Sequence, residues 1–478
     1  MTEYNVGNQG DFPTLAAVSK AVAPGDVVTI LPGVYRERVT LDTPNVIWQA
    51  EPGAIVDGGW NGKTVESGFA AQVAVTGAGV VVDGLTVRNC PGRGMAVNAD
   101  GVTVRNCRID TTYQGGMIVG DSSGKTISGV LVEGCTLSNM SLSWVTEKNP
   151  SGVNGSLNIH NVVNSEFAGN LLHHGWGEGF NIGRGSNGLR LHGNVIHTTN
   201  HVLLYFNRSQ NNIVEDNLLY HIPDPAYAAK DGDYSAAIVI GDESGTSVAK
   251  WPPSSGNVIR RNLIVNTGKL LQVRNNAHNY DTQLLDTVIE NNTFVAGPVT
   301  RQGVMIQSNL KGRRHSGSRF SGNVIHFANA AQGADIGSFG QGSGIKFEGN
   351  IWTEKPPQSM QGDGDVYGDP QLVRPAARID PDDFEIGNYR PVAGGMAAMM
   401  DAGALAPTID PPEPPIEPPD EPGEPEPPEL DYQWVIDALE GQRVNLETAG
   451  AAVGNALLEL DNLIALLQRN IGPNGQGT

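Results

Sequence analysis

The sequence predicts an all-β fold in which the chain winds into a parallel β-helix, a solenoid of short strands. A frame of alternating apolar residues followed by Asn or Cys recurs ten times between residues 85 and 352. The intervals between these markers vary from 17 residues (Cys90 to Cys107) to 45 (Asn217 to Asn262), as corner loops allow and a helical repeat does not. The chain has 61 glycines, only 6% aromatic and only 17% charged residues, which favours many short strands joined by tight turns.

The marker residue of each frame predicts how the coils stack. The apolar period within a frame is two, so each frame is a strand with one buried face, and parallel stacking follows from the constant chain direction. We expect the marker Asn to adopt the left-handed conformation of a tight turn and its amide to hydrogen-bond along the column, with Cys as a small buried substitute. The predicted internal file is structural and consists of Cys90, Cys107, Cys135, Asn170, Asn194, Asn217, Asn262, Asn292, Asn323 and Asn350.

Both ends of a solenoid need covering. Residues 12–22 predict a short capping helix with Pro13 in its first turn and with Leu15, Val18 and Val22 on one face. Strands are expected around residues 27–31, 39–41 and 46–48. The β-helix with its N-terminal cap is predicted to span residues 1–352, and residues 353–409, which lack the marker, to form a C-terminal cap.

The remaining residues predict a spacer and an assembly helix. Residues 410–430 are rich in Pro and Glu and favour an extended polyproline II rod. Residues 431–470 carry Leu or Val every seven residues, which predicts a coiled-coil segment for oligomerisation or attachment, weakened at Arg443 and Gly450. The alternative is an amphipathic helix that docks on its own β-helix, which the rigid spacer disfavours. Residues 471–478 are expected to be a flexible tail.

Charge and cysteine content exclude several function classes. The net charge of −20 and the absence of a cationic stripe argue against nucleic acid as a partner. Three cysteines without CxxC spacing indicate neither a disulfide framework nor a zinc site. The N-terminus lacks the pattern of a secretory signal, and no apolar run reaches the length of a transmembrane span, so we expect cytoplasmic synthesis and no membrane insertion.

A set of outward-facing polar and aromatic residues in the middle coils predicts carbohydrate binding. Amides, imidazoles and aromatic rings on a flat sheet suit sugar hydroxyls and ring faces. The candidates are His173, Trp176, Asn181, Tyr205, Asn207, Tyr234, Gln272 and Arg274.

Catalytic candidates lie near the longest insertion, between Asn217 and Asn262. A glycoside hydrolase would need two carboxylates, and Glu178 with Asp231 or Asp233 is the candidate pair. A polysaccharide lyase would need a base, Lys230 or Tyr234, and Ca²⁺, for which Asp231, Asp233 and Glu243 are candidate ligands. No spacing demands either arrangement, and acidic residues in long loops are usually solvated. The residues therefore favour a protein that is not an enzyme and has no resident metal or cofactor.

Three segments carry a resemblance to a known family. They are Gly10-Asp11-Phe12 with Pro32 to Glu37, the Asn-marked coils, and Gly368-Asp369-Pro370 with Asp401-Ala402-Gly403. Over residues 1–409 they resemble the pectate-lyase-like superfamily of right-handed parallel β-helices. The resemblance implies the fold more strongly than the chemistry, because members include lyases, hydrolases, epimerases and non-catalytic glycan-binding spikes.

Two functional hypotheses follow. The first is a phage tail appendage, a minor tail protein or tail spike, that presents the β-helix to host cell-surface glycan. The second is a polysaccharide lyase or glycoside hydrolase that acts on an extracellular or cell-wall polysaccharide. An outward-acting fold without an export signal, followed by an assembly helix, favours a virion protein released by lysis. We expect residues 431–470 to bind other tail proteins or to form a homo-oligomer, with a trimer favoured by analogy. Tail spikes often attach through an N-terminal domain, whereas here the solenoid begins almost at Met1.

Overall fold

The computed structural model describes the N-terminal unit of the chain. The chain divides into two units, Met1–Asp410 and Pro411–Thr478, and all the described residues lie in the first. The predicted spacer, coiled coil and tail lie outside the described residues, as do Lys230 and Asp231. The described residues are 1–62, 70–121, 124–143, 155–228, 233–245, 250–275, 279–308, 311–339, 344–376, 379 and 384–405.

Three long parallel sheets form the walls of a β-helix, which confirms the predicted fold. From Val27 to Phe339, each coil contributes a strand first to sheet A, then to sheet B, then to sheet C. The 13 strands of sheet A are Glu3–Val6, Val27–Ile30, Ile47–Ala50, Val81–Asp83, Thr103–Arg105, Leu131–Glu133, Glu166–Ala168, Arg190–His192, Ile213–Glu215, Val258–Arg260, Val288–Glu290, Ser318–Ser321 and Ile345–Glu348.

The 13 strands of sheet B are Gly33–Tyr35, Ala54–Asp57, Thr86–Cys90, Arg108–Thr112, Thr136–Ser138, Leu171–Gly175, Val195–Thr199, Leu218–Tyr220, Leu263–Val265, Thr293–Val295, Val324–His326, Ile351–Trp352 and Val366–Tyr367. The 11 strands of sheet C are Val39–Leu41, Ala71–Val75, Arg93–Val97, Met117–Gly120, Leu157–His160, Phe180–Gly183, Leu204–Asn207, Ala236–Ile240, Lys269–Val273, Gln302–Ile306 and Asp335–Phe339. A short pair, Ile127–Ser128 with Val162–Val163, lies apart from these sheets.

The strands bury alternate residues in one continuous core between the sheets. In sheet A, for example, Leu191 is fully buried between the more exposed Arg190 and His192. Equivalent residues stack in register, so that Phe167, Leu191 and Val214 lie over one another. Because each buried aliphatic or aromatic side chain contributes about 1.5–3 kcal/mol, this repeated burial is the main source of stability.

The predicted Asn file exists as a continuous ladder of buried amides. Each Asn donates from Nδ2 to Oδ1 of the next Asn at 2.9–3.1 Å, from Asn170 to Asn350, and Asp365 receives the last of these bonds. Each Oδ1 also accepts a backbone N–H from the preceding coil, as from Asn217 to Asn262 at 3.1 Å. The ladder therefore satisfies polar groups that would otherwise be buried without partners.

Two details of the predicted file are wrong. Cys90 lies outside it, because the strand Thr86–Cys90 belongs to sheet B, whereas the other frames cross from sheet A into sheet B. In that coil the file position is Leu85, and Cys90 lies opposite Thr112. The left-handed conformation also belongs to the residue before the marker, such as Asp216 (φ 58°) or Arg261 (φ 52°), because this residue makes the corner that turns the amide inward.

The N-terminal helix is shorter than predicted and comprises Leu15–Val18. Thr14 is its N-cap and accepts a hydrogen bond from the backbone N–H of Ala17 at 3.1 Å, so Pro13 precedes the helix instead of starting it. The Glu37 carboxylate accepts the backbone N–H groups of Leu15 and Ala16, each at 2.8 Å. These bonds fix the helix to the first coil.

The segment after the last coil does more than cap the end of the solenoid. Met360 is fully buried in the core near the last strands. The described residues between 369 and 405, which we call the strap, instead lie along the outer face of sheet B, where Leu372 and Tyr389 join the buried cluster that contains Leu218 and Leu263. Near its end, the backbone N–H of Ala404 donates to Thr293 Oγ1 at 2.8 Å.

The remaining helical elements are short. They are the α-helix Met396–Met399 and the 3₁₀ turns Pro225–Tyr227, Gln358–Met360 and Ile386–Tyr389. Within the described part of the chain, no helix is long and apolar enough to cross a bilayer.

Candidate functional site

The outer face of sheet C carries a column of side chains that the sequence singled out. Asn181, Tyr205 and Gln272 occupy one register position on successive strands, interrupted by Val239. The alternate residues of the same strands, such as Phe180, Ile182, Leu271 and Val273, are fully buried, as predicted. The column is therefore held on a rigid scaffold.

Glu178 is a buried carboxylic acid at the edge of this face. It lies two residues before the strand Phe180–Gly183, and Asn181 Nδ2 donates to its Oε2 at 2.6 Å. Burial raises the pKa of Glu178 to about 7, and the charge of Glu243 adds to that effect, against the hydrogen bond from Asn181. Glu178 is thus poised between its acid and carboxylate forms near neutral pH.

Glu243 supplies a second carboxylate from the loop after the strand Ala236–Ile240. Its backbone N–H donates to Asn207 Oδ1 at 3.2 Å, and its Oε2 accepts from Arg184 Nη2 at 3.4 Å. The loop is anchored by Arg208, which donates to the backbone carbonyls of Glu243 at 2.7 Å and Trp251 at 2.8 Å. These bonds give the second carboxylate a defined position.

Aromatic groups lie beside the two carboxylates. The Tyr205 hydroxyl donates to the carbonyl of Gly241 at 2.6 Å. The guanidinium of Arg274 lies 4.5 Å from the centre of the Tyr280 ring, a cation–π contact. Burial raises the pKa of Tyr205 and of Tyr280, and the charges of Glu178 and Glu243 add to that effect, which places the four side chains within one electrostatic cluster.

Two candidate binding residues are not solvent-facing, and that expectation is wrong. Tyr205 is 4% exposed and Asn207 is 2% exposed, because the loop after Ile240 folds over the end of their strand and takes up their polar groups. They position the loop that carries Glu243. Asn181, Gln272 and Arg274 are partly exposed and are open to a ligand.

A second group lies at the corner where sheet B passes into sheet C. His173, His197 and Tyr220 occupy one column of sheet B, and their rings stack at 5.1 and 4.7 Å. Burial lowers the pKa of His173 to about 4 and that of His197 to about 3, so both imidazoles are neutral at neutral pH. Trp176, partly exposed, packs on Tyr227 with ring centres 5.1 Å apart.

The two described candidate ligands for Ca²⁺, Asp233 and Glu243, do not assemble into a cation site. Asp233 is about half exposed and lies 3.7 Å from Arg301. It precedes the strand Ala236–Ile240, whereas Glu243 follows it, and a five-residue strand separates its ends by about 17 Å. Ca²⁺ ligands lie about 2.3–2.6 Å from the ion, so these two carboxylates cannot share one. Among the described residues, no group of three His, Cys, Asp or Glu side chains could hold a metal ion.

Tyr234, the other candidate base, is a poor one. Burial and the charge of Asp224 raise the pKa of Tyr234 above its usual value. The phenol is therefore protonated at neutral pH. Lys230, the alternative base, lies outside the described residues.

Sequence reasoning missed Arg184 and Arg208, although a signal was present. Both follow a strand of sheet C, and each lies fourteen residues after its file residue, Asn170 or Asn194. Equal spacing from the file predicts an equivalent place on the solenoid. Tyr280 left no such signal, since it lies in a loop of unmatched length.

Comparisons with known proteins agree with the architecture. The family described as "Right handed beta helix region" matches residues 71–280. No curated protein matches the chain.

Three solved structures illustrate the likeness. Alginate lyase from Paenibacillus sp. str. FPU-7 is 12% identical with a TM-score of 0.42, and the match covers 60% of this chain and 93% of that one. Pectate lyase Pel9A is 14% identical with a TM-score of 0.45, and the match covers 73% of this chain and 79% of that one. A mutant tailspike protein of E. coli bacteriophage HK620 in complex with a pentasaccharide is 11% identical with a TM-score of 0.44. The match covers 74% of this chain and 61% of that one, which is less than two thirds of the tailspike chain. Likeness at this level says nothing about substrate.

The three parallel sheets make the described part of this chain a right-handed parallel β-helix, and the family match over residues 71–280 agrees with that fold.

Proposed function

We propose that this protein is a phage tail appendage that binds host cell-surface glycan on the outer face of sheet C and the adjoining corner with sheet B. The observation that carries the binding site is the partly exposed Trp176, packed on Tyr227 and two residues from the buried Glu178. An indole face suits the apolar side of a sugar ring. Farther along the same side of the solenoid, Asn181, Gln272 and Arg274 offer donors and acceptors to sugar hydroxyls.

The rigidity of the site supports tight recognition. Asn181 and Gln272 project from strands, and the loop with Glu243 is fixed by hydrogen bonds from Arg208. A site that is already ordered loses little conformational entropy when a ligand binds. His173 contributes less to direct contact, because it packs between His197 and His174.

The assignment to a phage tail rests on the C-terminal sequence. A Pro/Glu-rich spacer at residues 410–430 and heptads at 431–470 suit a solenoid held away from a particle by an assembling helix. We propose that this helix forms a homo-oligomer, with a trimer favoured, or binds other tail proteins.

Binding can be tested with the full-length protein on an array of bacterial surface polysaccharides. We expect binding that falls about ten-fold or more in Trp176→Ala, since the indole face supplies the apolar contact. Tyr367→Ala is the matched control, because Tyr367 is an exposed aromatic residue (39%) at the far end of sheet B. Absence of binding to any bacterial glycan, or equal binding by Trp176→Ala and wild type, would contradict the proposed site.

A second candidate function is glycoside hydrolysis, which the carboxylate pair favours. A hydrolase needs one acid whose pKa is raised and a second carboxylate that stays ionised. Glu178, with a pKa of about 7, fits the general acid, and Glu243, which accepts a hydrogen bond from Arg184, is the nearest candidate for the second carboxylate. No step in this scheme uses Ca²⁺.

The hydrolase is tested by release of reducing ends from the polysaccharides that bind. Glu178→Gln should abolish the release while binding persists, and Glu178→Asp should retain part of it. Release by Glu178→Gln at the wild-type rate would overturn the assignment of Glu178. Ca²⁺-dependent ultraviolet absorbance of an unsaturated product, without Glu178 dependence, would instead indicate a lyase.

A further inference from the structure

We propose that a second glycan-binding subsite lies at Trp60 and Tyr113, on the same corner of the solenoid as Trp176, so that one glycan chain runs along the solenoid axis over both indoles. This inference rests on the proposed function, because Trp176 is taken as the first contact. We call the pair Trp60 and Tyr113 the distal subsite.

The two tryptophans follow the same column of sheet B at the same spacing along the chain. Asp57, Arg88, Asp110, Ser138 and His173 follow one another along a single column of sheet B. Trp60, Tyr113 and Trp176 each come three residues after a member of this column. They therefore lie along one edge of the solenoid.

The spacing of the two corner positions along the solenoid axis matches the length of an oligosaccharide and exceeds that of a single sugar. Four strand spacings separate Asp57 from His173 along the sheet B column. At about 4.8 Å for each spacing, the two corner positions lie about 19 Å apart along the axis. A ligand that touches both must be an extended chain parallel to the axis.

Each indole is supported by a tyrosine from a later coil. Trp60 packs edge-on to Tyr113 with ring centres 5.5 Å apart, as Trp176 packs on Tyr227 at 5.1 Å. The tyrosines are 3% and 9% exposed, whereas both tryptophans are partly exposed. A buried ring behind each indole fixes its orientation, which lowers the entropy cost of stacking against a ligand.

The loop that carries Trp60 is held in one conformation. The backbone N–H of Trp60 donates to the carbonyl of Asn89 at 2.8 Å, and the backbone N–H of Gly59 donates to Asp57 Oδ1 at 2.8 Å. The Asp57 carboxylate is also paired with Arg88 at 2.9 Å. At Gly58 a Cβ would approach the Asn89 carbonyl oxygen to 2.6 Å, so the close approach of the two chains requires glycine.

The distal subsite is tested with fragments of bacterial O-antigen and capsular polysaccharide, separated by length and titrated calorimetrically against the full-length protein. For fragments long enough to span both indoles, Trp60→Ala should weaken binding about ten-fold or more. For fragments too short to span them, Trp60→Ala should bind like wild type, because Trp176 alone suffices. Trp60→Phe, which keeps an aromatic ring on Tyr113, should restore part of the affinity, and Tyr367→Ala should change nothing.

The outcomes separate this inference from the function on which it rests. If Trp176→Ala weakens binding but Trp60→Ala does not weaken binding of long fragments, the distal subsite is wrong and the first site stands. If Trp60→Ala weakens short and long fragments alike, the two-indole arrangement is also wrong. Failure of every fragment to bind wild type, or indifference to both substitutions, would overturn both proposals.

Discussion

At the scale of single residues, the buried acid Glu178 ties stability to pH. Its pKa rises from 4.5 to about 7 on folding, so the folded chain binds a proton more tightly than the unfolded chain. Its contribution to the free energy of unfolding is therefore fully present below pH 4.5 and is lost as the pH rises through 7. Relative to the Glu178→Gln variant, wild type should lose at most about 3 kcal/mol of its free energy of unfolding as the pH rises from 4.5 through 7.

The measurement is chemical denaturation of both proteins across this pH range, with the difference between them plotted. Groups common to both proteins cancel in the difference. A flat difference from pH 4.5 to 8 would show that Glu178 ionises normally in the folded protein.

Backbone strain at one corner residue gives a second prediction at this scale. Thr111 has φ 56° in the same column position as Asn89 and Asn139, which have φ 50° and 56°. The left-handed region costs a β-branched residue about 1 kcal/mol or more, whereas Asn tolerates it. Thr111→Asn should therefore stabilise the protein by about 1 kcal/mol in urea denaturation.

The reverse change is the matched control. Asn139→Thr should destabilise by at least as much, because it also removes the hydrogen bond from Asn139 Nδ2 to Asp110 Oδ1 at 2.9 Å. Equal stability of all three proteins would mean that the corner relaxes to accept Thr.

At the scale of elements, the Asn ladder makes the coils depend on one another. Asn262 accepts from both the backbone N–H and the side-chain amide of Asn217, and donates onward to Asn292. Asn262→Leu would leave buried donors of Asn217 without their acceptor, at a cost of roughly 2–4 kcal/mol. Urea denaturation should show this loss, and the exposed Asn8→Leu should be neutral. A cost below that of an ordinary surface substitution would contradict the ladder as a source of stability.

The strands and loops also show which features of the structure can be predicted from the sequence. Strand period and the recurring Asn fix the coils because both report purely local burial, and the strands around residues 27, 39 and 47 lie where they were expected. The burial of Tyr205 was not predictable, since it depends on a loop thirty-six residues later along the chain, at Gly241. For the same reason the sequence could nominate Glu178 but not pair it with Glu243 and Arg184.

The strap, too, depends on contacts between residues far apart in the chain, which the sequence does not reveal. Its composition indicates irregular structure, and nothing local says that Leu372 and Tyr389 cover Leu218 on the side of sheet B. The apolar outward residues of sheet B were a usable sign that something covers them, since Leu263 and Val265 stand where an earlier coil carries Arg108 and Asp110.

At the scale of the whole molecule, the strap decides where the chain can be shortened. It buries Leu218, Tyr220, Leu263, Val265 and Val295 on the outer face of sheet B, and its last contacts are at residues 403–405. Deletion of residues 411–478 leaves these contacts intact, so the truncated chain should be folded. Deletion of residues 369–478 uncovers a contiguous apolar surface, which should cause aggregation. Comparison of the two by light scattering tests the strap, and a soluble, monodisperse product of the longer deletion would contradict it.

The same truncation tests assembly. If residues 431–470 are the coiled coil, the full-length protein should be oligomeric and the chain ending at residue 410 monomeric, because all the heptads lie in the deleted part. Size-exclusion chromatography with light scattering gives both masses. A control variant with Leu460→Asp and Leu467→Asp keeps the length but places charges in the seam, and it should also be monomeric. An oligomeric truncated chain would place the assembly contact on the β-helix, whose outer faces would then be partly unavailable to glycan.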